Sequence, residues 1–125
     1  MSPQLKRLFI KGIESFNQKK YYDAHEYFEE MWIDYKLEDK LFIQALLQLS
    51  VAYFHISNSN KNGAIGLFKK SISKLDAYLD TYQDISNINS VIKSAHESYQ
   101  SIIENENIHE FDWNLAPVLE TRVKL

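Results

Sequence analysis

Apolar residues recur along most of the chain at intervals of three or four positions, the period of an α-helix that buries one face. Five segments of this kind are separated by short polar stretches. They cover roughly residues 4–18, 21–36, 39–57, 61–82 and 87–105. The last twenty residues mix polar groups with Phe111, Trp113, Leu115 and Leu119, and we expect them to pack back on the body without a long helix. The pattern predicts an all-α, compact bundle of about five helices.

The third segment differs from the others because its apolar residues go all the way round the helix. A helix of that kind belongs at the buried centre of a bundle. Its side chains Gln44, Gln48 and His55, here called the polar stripe, fall within about 40° of one another at 100° per residue. A buried polar group without a hydrogen-bond partner costs roughly 1–3 kcal/mol. We therefore expect the polar stripe to face other polar groups.

A faint repeat with an offset of forty residues relates the first half of the chain to the second. The pairs are Gly12 with Ala52, Ala24 with Ala64 and Phe28 with Phe68. Small residues at such places let two helices approach closely. The spacing predicts two hairpins similar to tetratricopeptide repeats, followed by a C-terminal helix and tail over 87–125. Because a solenoid needs about three units, we expect a compact bundle rather than a peptide-binding array.

Composition limits the functional classes. At 125 residues, 45% of them apolar, the chain is expected to form a single domain over 1–125 with its own core. It has no cysteine and therefore no thiolate ligand or nucleophile. The net charge of -3 and the lack of a basic block argue against a nucleic-acid partner. No apolar run suits a membrane span or a signal peptide, so we expect a cytoplasmic protein.

Candidate chemistry lies on one flank of the second segment, at His25, Glu29 and Trp32. His25 and Glu29 are four residues apart, which makes them neighbours on a helix surface. Trp32 is within about 20° of His25 in projection. The three lie at the edge of the apolar face, where the third segment would meet the second. We therefore expect this flank and the polar stripe to satisfy each other's hydrogen bonds.

The functional interpretation is a polar pocket between the second and third helices. His25, Glu29 and His55 would supply nitrogen and oxygen ligands to a divalent metal such as Zn, Fe or Mn. Gln44 and Gln48 would orient those ligands from behind. A version without metal is also open, in which Glu29 holds His25 as a general base acting on a small molecule.

The structural interpretation uses the same residues without any chemistry. The His-Glu pair would then be buried and bonded to the two glutamines, and the network would only fix the register of the helices. The protein would be a non-catalytic interaction module or a homodimer. An open pocket near His25, with Trp32 as a wall and Tyr35 or Tyr53 lining it, would favour the functional interpretation. A sealed network without a cavity would favour the structural one.

Taken together, these residues resemble the DUF309 family of bacterial and archaeal proteins of unknown function. The resemblance rests on Phe16-Asn17, Tyr22-Asp23-Ala24-His25-Glu26, Glu29-Glu30-Met31-Trp32, Gln44-Ala45-Leu46-Leu47-Gln48 and His55. The family is characterised by a His-x3-Glu-x2-(Trp/Tyr) motif, proposed to bind metal, which this chain meets in full. The resemblance covers roughly residues 5–80. It implies an all-α fold and supplies no activity.

Overall fold

Five α-helices make up most of the computed structural model, which describes residues 1–81 and 83–125. They are α1 (Pro3–Asn17), α2 (Tyr21–Asp34), α3 (Lys40–Ser57), α4 (Lys61–Leu75) and α5 (Ile88–Glu104). Short 3₁₀ turns follow at Asp76–Tyr78, Ile108–Glu110 and Trp113–Leu115. The described ranges contain no strand, only an isolated bridge between Ile85 and Thr121. The predicted all-α bundle of about five helices is confirmed. None of the described helices has the length and apolar character that a membrane span requires.

The α1–α2 and α3–α4 turns have the same backbone geometry. Lys19 and Ser59, forty residues apart, both have positive φ angles, of 62° and 58°. In each turn the next amide, that of Lys20 or Asn60, donates to the carbonyl oxygen five residues earlier at 2.8 Å. This is the Schellman arrangement, which usually places glycine in the left-handed position. The sequence repeat is therefore also a repeat of backbone structure.

Small residues of the repeat lie where helices touch. Each of α1 to α4 packs against the next helix in sequence. A Cβ atom built on Gly12 would lie 2.6 Å from the ring of Phe28, so α1 and α2 meet so closely that even alanine would force the ring to shift. Ala24 and Ala64 are fully buried. The likeness of these two hairpins to tetratricopeptide repeats stays a prediction.

The third helix is central, as predicted, because it packs against both α2 and α4. It is not buried on every side. Leu41 is 53% exposed, and Leu47, Val51 and Phe54 are only partly buried. The prediction of burial all round is wrong for this outer strip, since two flanking helices cannot cover the whole circumference of a third. The polar stripe is likewise only partly buried.

The fourth helix is shorter than the periodicity predicts. It ends at Leu75 and continues only as a 3₁₀ turn. Leu79, expected on the buried face, is 53% exposed. Asp80 has a φ of 61° and makes two hydrogen bonds with the Asn89 side chain, at 2.7 and 2.8 Å, which direct the chain away from the helix axis. Tyr82, predicted to continue the same face, lies outside the described residues.

The tail returns to the body without a long helix, which confirms that prediction. The Trp113 indole stacks on the ring of Tyr21, with 5.9 Å between centroids. Leu119 is buried, and its amide and carbonyl both bond the Asn17 side chain, at 2.8 and 3.0 Å. The Asn87 side chain likewise donates to the Val118 carbonyl oxygen and accepts from the Glu120 amide, on either side of Leu119. Two amide side chains therefore hold the tail by its backbone.

Candidate functional site

His25 and Glu29 are side by side on α2, as their spacing predicts. His25 Nε2 lies 2.8 Å from Glu29 Oε2, and the two side chains are 22% and 44% exposed. His25 Nδ1 donates to the Tyr22 carbonyl oxygen at 3.2 Å. Both ring nitrogens therefore face oxygen acceptors. A metal ion or a substrate proton could reach a nitrogen lone pair only by displacing one of these contacts.

An open pocket lies beside this pair, between the start of α2 and the end of α3. It encloses about 170 Å³ and is lined by Tyr22, His25, Val51, Phe54 and His55, and we call it the α2–α3 pocket. The Tyr22 ring stands 5.3 Å from the His25 ring and 5.4 Å from that of Phe54, centroid to centroid. Two imidazoles from different helices thus share one cavity with aromatic walls.

His55 is held in a defined orientation by the α3–α4 turn. Asn60 Oδ1 accepts from the Gly63 amide at 3.0 Å, which leaves the amide nitrogen of Asn60 to donate to His55 Nδ1 at 3.2 Å. Because Nδ1 accepts, Nε2 carries the ring proton. Within the described residues this Nε2 has no hydrogen-bond partner. A Cβ atom on Gly63 would lie 2.9 Å from His55 Cγ, so glycine makes room for the ring.

The other predicted site residues are not brought into a hydrogen-bonded network. Trp32 Nε1 and Gln48 Oε1 are buried and have no partner among the described residues. Lys40 Nζ lies 4.4 Å from the centre of the Trp32 ring, in the geometry of a cation–π contact. Gln44 is partly buried and makes no hydrogen bond within the described ranges. The expected exchange of hydrogen bonds is therefore not seen, because His25 and Glu29 already bond along their own helix.

No three or more histidine, aspartate or glutamate side chains form a group that could hold a metal ion within residues 1–81 and 83–125. His25 and His55 line the α2–α3 pocket, whereas Glu29 is bonded to His25 and does not line it. The protein ligands that the metal interpretation expects are thus only partly assembled in this structure.

Two of the tyrosines expected at the site lie elsewhere. Tyr53 is fully buried, and its hydroxyl oxygen is 2.8 Å from Ser98 Oγ, so it belongs to the core. Tyr35 lines a separate cleft beside the α2–α3 loop. The sequence reasoning missed Tyr22 and Phe54, although the signal was present. They are three residues before His25 and one before His55, and an aromatic at such a position can reach the imidazole.

Part of the chain, including the candidate site, is similar to a known protein family. Residues 9–67 match a family model described as a domain of unknown function, DUF309. The predicted resemblance to DUF309 is confirmed. The DUF309 match is narrower than the expected 5–80 at both ends, and it contains the whole α2–α3 pocket together with Glu29, Trp32, Gln44 and Gln48. Helix α5 and the tail lie beyond the DUF309 stretch. No curated protein matches the chain.

Proposed function

We propose that this protein binds a small molecule in the α2–α3 pocket, with His25 and His55 as the polar contacts. The observation that carries the proposal is the open cavity of about 170 Å³ into which two helices each bring an imidazole. The lining surface is almost wholly apolar, and the volume is below the roughly 300–1,000 Å³ of drug-sized ligand sites, so the ligand must be small. The chemistry of the lining then limits the ligand.

The size and walls of the cavity favour one ring or a short chain. A water molecule occupies about 30 Å³ of the liquid, so the cavity corresponds to roughly six waters. Tyr22, Val51 and Phe54 offer apolar and aromatic surface. His55 Nε2–H is a free donor for a carbonyl or ring-nitrogen acceptor. We therefore propose a small heterocycle, or the heterocyclic part of a larger ligand, that presents an acceptor to His55.

Binding is better supported than acid–base catalysis. A general base needs a lone pair within reach of the substrate proton. Both nitrogens of His25 face oxygen acceptors, and Glu29 Oε2 lies 2.8 Å from Nε2. In this arrangement the His25 imidazole would contact a ligand through the edge and the face of its ring, and so orient the ligand. We name no reaction for this site.

A metal-binding role is the second candidate, favoured by the two imidazoles in one cavity. Zn, Fe or Mn bound by His25 and His55 would need further ligands from water or a bound molecule. In that case His25 Nε2 would have to leave Glu29. Metal content measured by mass spectrometry on untagged protein, beside a His25→Ala/Glu29→Ala double variant, tests this role. About one equivalent, lost in the double variant, supports it; no metal after incubation with Zn, Mn and Fe(II) rejects it.

A purely structural role for these residues has less support. The His25–Glu29 pair is partly exposed, and such pairs contribute about 0.3–0.5 kcal/mol. The unpartnered Trp32 Nε1 and Gln48 Oε1 do not form the sealed network which that role requires. A protein partner or a second copy would then have to be sought at another surface. A cytoplasmic location stays an expectation from the sequence.

The decisive experiment is an NMR titration with small heterocyclic carbonyl compounds. We expect amide shifts at Tyr22, Val51 and His55, and loss of binding in His25→Ala and His55→Ala. His96→Ala is the matched control, because His96 also bonds a carboxylate, Asp76 Oδ1 at 2.7 Å, on the exposed surface.

The free energy of unfolding should fall by less than about 1 kcal/mol in the two pocket variants, because the contacts removed are partly exposed. Unchanged binding in both pocket variants, or a loss of stability large enough to explain the lost binding, would contradict the proposal.

A further inference from the structure

A second pocket, here called the turn pocket, lies between the α1–α2 turn, the end of α3 and the tail. It encloses about 350 Å³, within the range of small-molecule sites. Its apolar surface comes from Ile56, Ile108 and the indole of Trp113. Trp113 is only partly buried and presents a flat apolar surface at this place. Only the fold creates this cavity, since the tail supplies one of its walls.

Four residues that line the turn pocket, Lys19, Tyr21, Ser57 and His109, have side chains able to donate hydrogen bonds. The described lining includes no aspartate or glutamate, although the chain as a whole carries a net charge of -3. Ser57 already donates to the Phe54 carbonyl oxygen, at 2.6 Å. The His109 ring nitrogens lie 3.3 Å from Ser59 Oγ. Lys19 and Tyr21 remain as the residues whose side-chain donors have no acceptor among the described residues.

Tyr21 is the strongest sign of an external ligand. Its side chain is 3% exposed, and its ring stacks on those of Tyr53 and Trp113, with centroids 5.3 and 5.9 Å away. No hydrogen bond of the described residues involves its hydroxyl. Burial raises the pKa of Tyr21, so this hydroxyl stays protonated and available as a donor. The hydroxyl oxygen is not one of the fully buried polar atoms without a partner, so it keeps contact with solvent and a ligand in the turn pocket can reach it.

The backbone at the start of α2 also favours a negatively charged ligand. Helix α2 begins at Tyr21, and no side chain within residues 1–81 and 83–125 caps its first turn. The free N–H groups there carry partial positive charge and favour an anion. Asp23 is the acidic residue of this turn, and it does not line the turn pocket. Lys19, Tyr21 and Trp113 thus line one pocket at the place where α2 begins.

From these observations we propose that the turn pocket binds a small organic carboxylate with a flat apolar body. The carboxylate accepts from the Tyr21 hydroxyl and pairs with the Lys19 ammonium, while the body lies against Trp113. One cation and one hydroxyl match a single negative charge. Recognition of a phosphate more often uses several cations or a bidentate arginine. This site is separate from the α2–α3 pocket and does not rest on its proposed function.

The two tryptophans of the chain allow a direct test. The indole N–H signal of Trp113 reports on the turn pocket, and that of Trp32 reports on the α2–α3 region. We expect benzoate and phenylacetate to shift the Trp113 signal and leave the Trp32 signal in place. Benzamide, which lacks the charge, and inorganic phosphate, which lacks the ring, should bind at least about tenfold more weakly. An equal response to all four compounds would reject a carboxylate site.

Variants then assign the contacts. Tyr21→Phe keeps the stacked ring and removes the hydroxyl, and Lys19→Gln removes the charge at nearly constant length. Each should raise the Kd for benzoate about tenfold, the effect of one charge-assisted hydrogen bond. The neighbours supply matched controls, since Tyr22→Phe and Lys20→Gln alter residues that do not line this pocket.

Unchanged affinity in both pocket variants, or no Trp113 shift with either carboxylate, would overturn the proposal. The His25→Ala and His55→Ala variants of the α2–α3 pocket should bind benzoate like the parent protein. The proposals for the two pockets can therefore be confirmed or rejected separately.

Discussion

Gly12 determines how closely α1 can approach α2. A Cβ atom at this position would stand 2.6 and 2.8 Å from two carbons of the Phe28 ring, and Phe28 is itself fully buried. The ring has no free space into which it could withdraw, because protein cores are close-packed. Gly66 on α4 is the opposite case, since nothing lies within 4 Å of a Cβ atom there.

Alanine at these two glycines should have effects of opposite sign. We expect Gly12→Ala to lower the free energy of unfolding by about 1–2 kcal/mol, because overpacking outweighs the better helix propensity of alanine. Gly66→Ala should raise it by about 0.5–1 kcal/mol through helix propensity alone. Urea denaturation of both variants measures this. Two changes of the same sign would show that the contact with Phe28 is not tight.

At the scale of elements, the turns decide where helices end. The α1–α2 and α3–α4 turns each place a residue other than glycine, Lys19 or Ser59, in the left-handed region. An L-residue there is disfavoured by contact between its Cβ atom and the following carbonyl oxygen. Both turns nevertheless close with the same hydrogen bonds, at 2.8 and 3.0 Å. Interactions beyond the turn therefore support a conformation that the local sequence does not favour.

Lys19→Gly should stabilise the protein by about 1 kcal/mol, because glycine adopts this φ without strain. Gln18→Gly is the control. Gln18 has a φ of -85°, where glycine brings only extra entropy to the unfolded chain, and we expect a small loss of stability. Thermal and urea unfolding of the two variants provide the comparison. Lower stability in Lys19→Gly would show that the lysine side chain makes a stabilising contact.

At the scale of the whole molecule, the tail completes the core. The buried side chains of Phe111 and Leu119 come from residues outside the DUF309 stretch, and Phe111 contacts the ring of Tyr53. Asn17, at the end of α1, bonds the amide and the carbonyl of Leu119. A contact between residues 102 positions apart thus joins the first helix to the last segment.

Asn17→Ala should release the tail locally. Because the amide and the carbonyl of Leu119 both lose a partly buried hydrogen-bond partner, we expect a loss of about 1–3 kcal/mol in the free energy of unfolding. Amide hydrogen exchange should accelerate most around residues 117–121. Asn62→Ala serves as the control, since Asn62 is exposed on α4 and should change stability little. Unchanged exchange in the tail of Asn17→Ala would mean that other contacts hold it.

Buried tyrosines should make the protein sensitive to alkali. Burial, aided by the hydrogen bond to Asp39 and its charge, raises the pKa of Tyr78 from 10.0 to about 12. Burial also raises the pKa values of Tyr21 and Tyr53. Between pH 10 and 12 the native state therefore binds more protons than the unfolded state, and the free energy of unfolding falls as the pH rises. The urea midpoint should be steady below pH 10 and then drop.

Tyr78→Phe tests how much one residue contributes to the fall in the free energy of unfolding above pH 10. The variant keeps the ring that contacts Phe42 at 5.0 Å and removes the group that titrates. Its urea midpoint should fall less steeply between pH 10 and 12 than that of the parent. An identical slope in parent and variant would assign the loss to other groups.

Local sequence patterns were sufficient to predict the helices and the contact between His25 and Glu29. Helix period and i,i+4 spacing act within two turns of chain, so the sequence alone determined four of the five helices to within two residues at either end. The exception, α4, ends early because of hydrogen bonds between Asp80 and Asn89, which belong to different elements. The motif residues likewise lie on one flank of α2, as their spacing requires.

Only the tertiary structure decided which of these residues share a cavity. His25 and His55 line one pocket because α2 and α3 lie side by side. Trp32 Nε1 and Gln48 Oε1 were expected in a network, but they have no hydrogen-bond partner in the part of the chain that the structure describes. The turn pocket could not be foreseen at all, since its wall at Trp113 is brought to Tyr21 from 92 positions away along the chain. Periodicity specifies the face of each helix, but contacts between distant segments depend on how all the faces pack together.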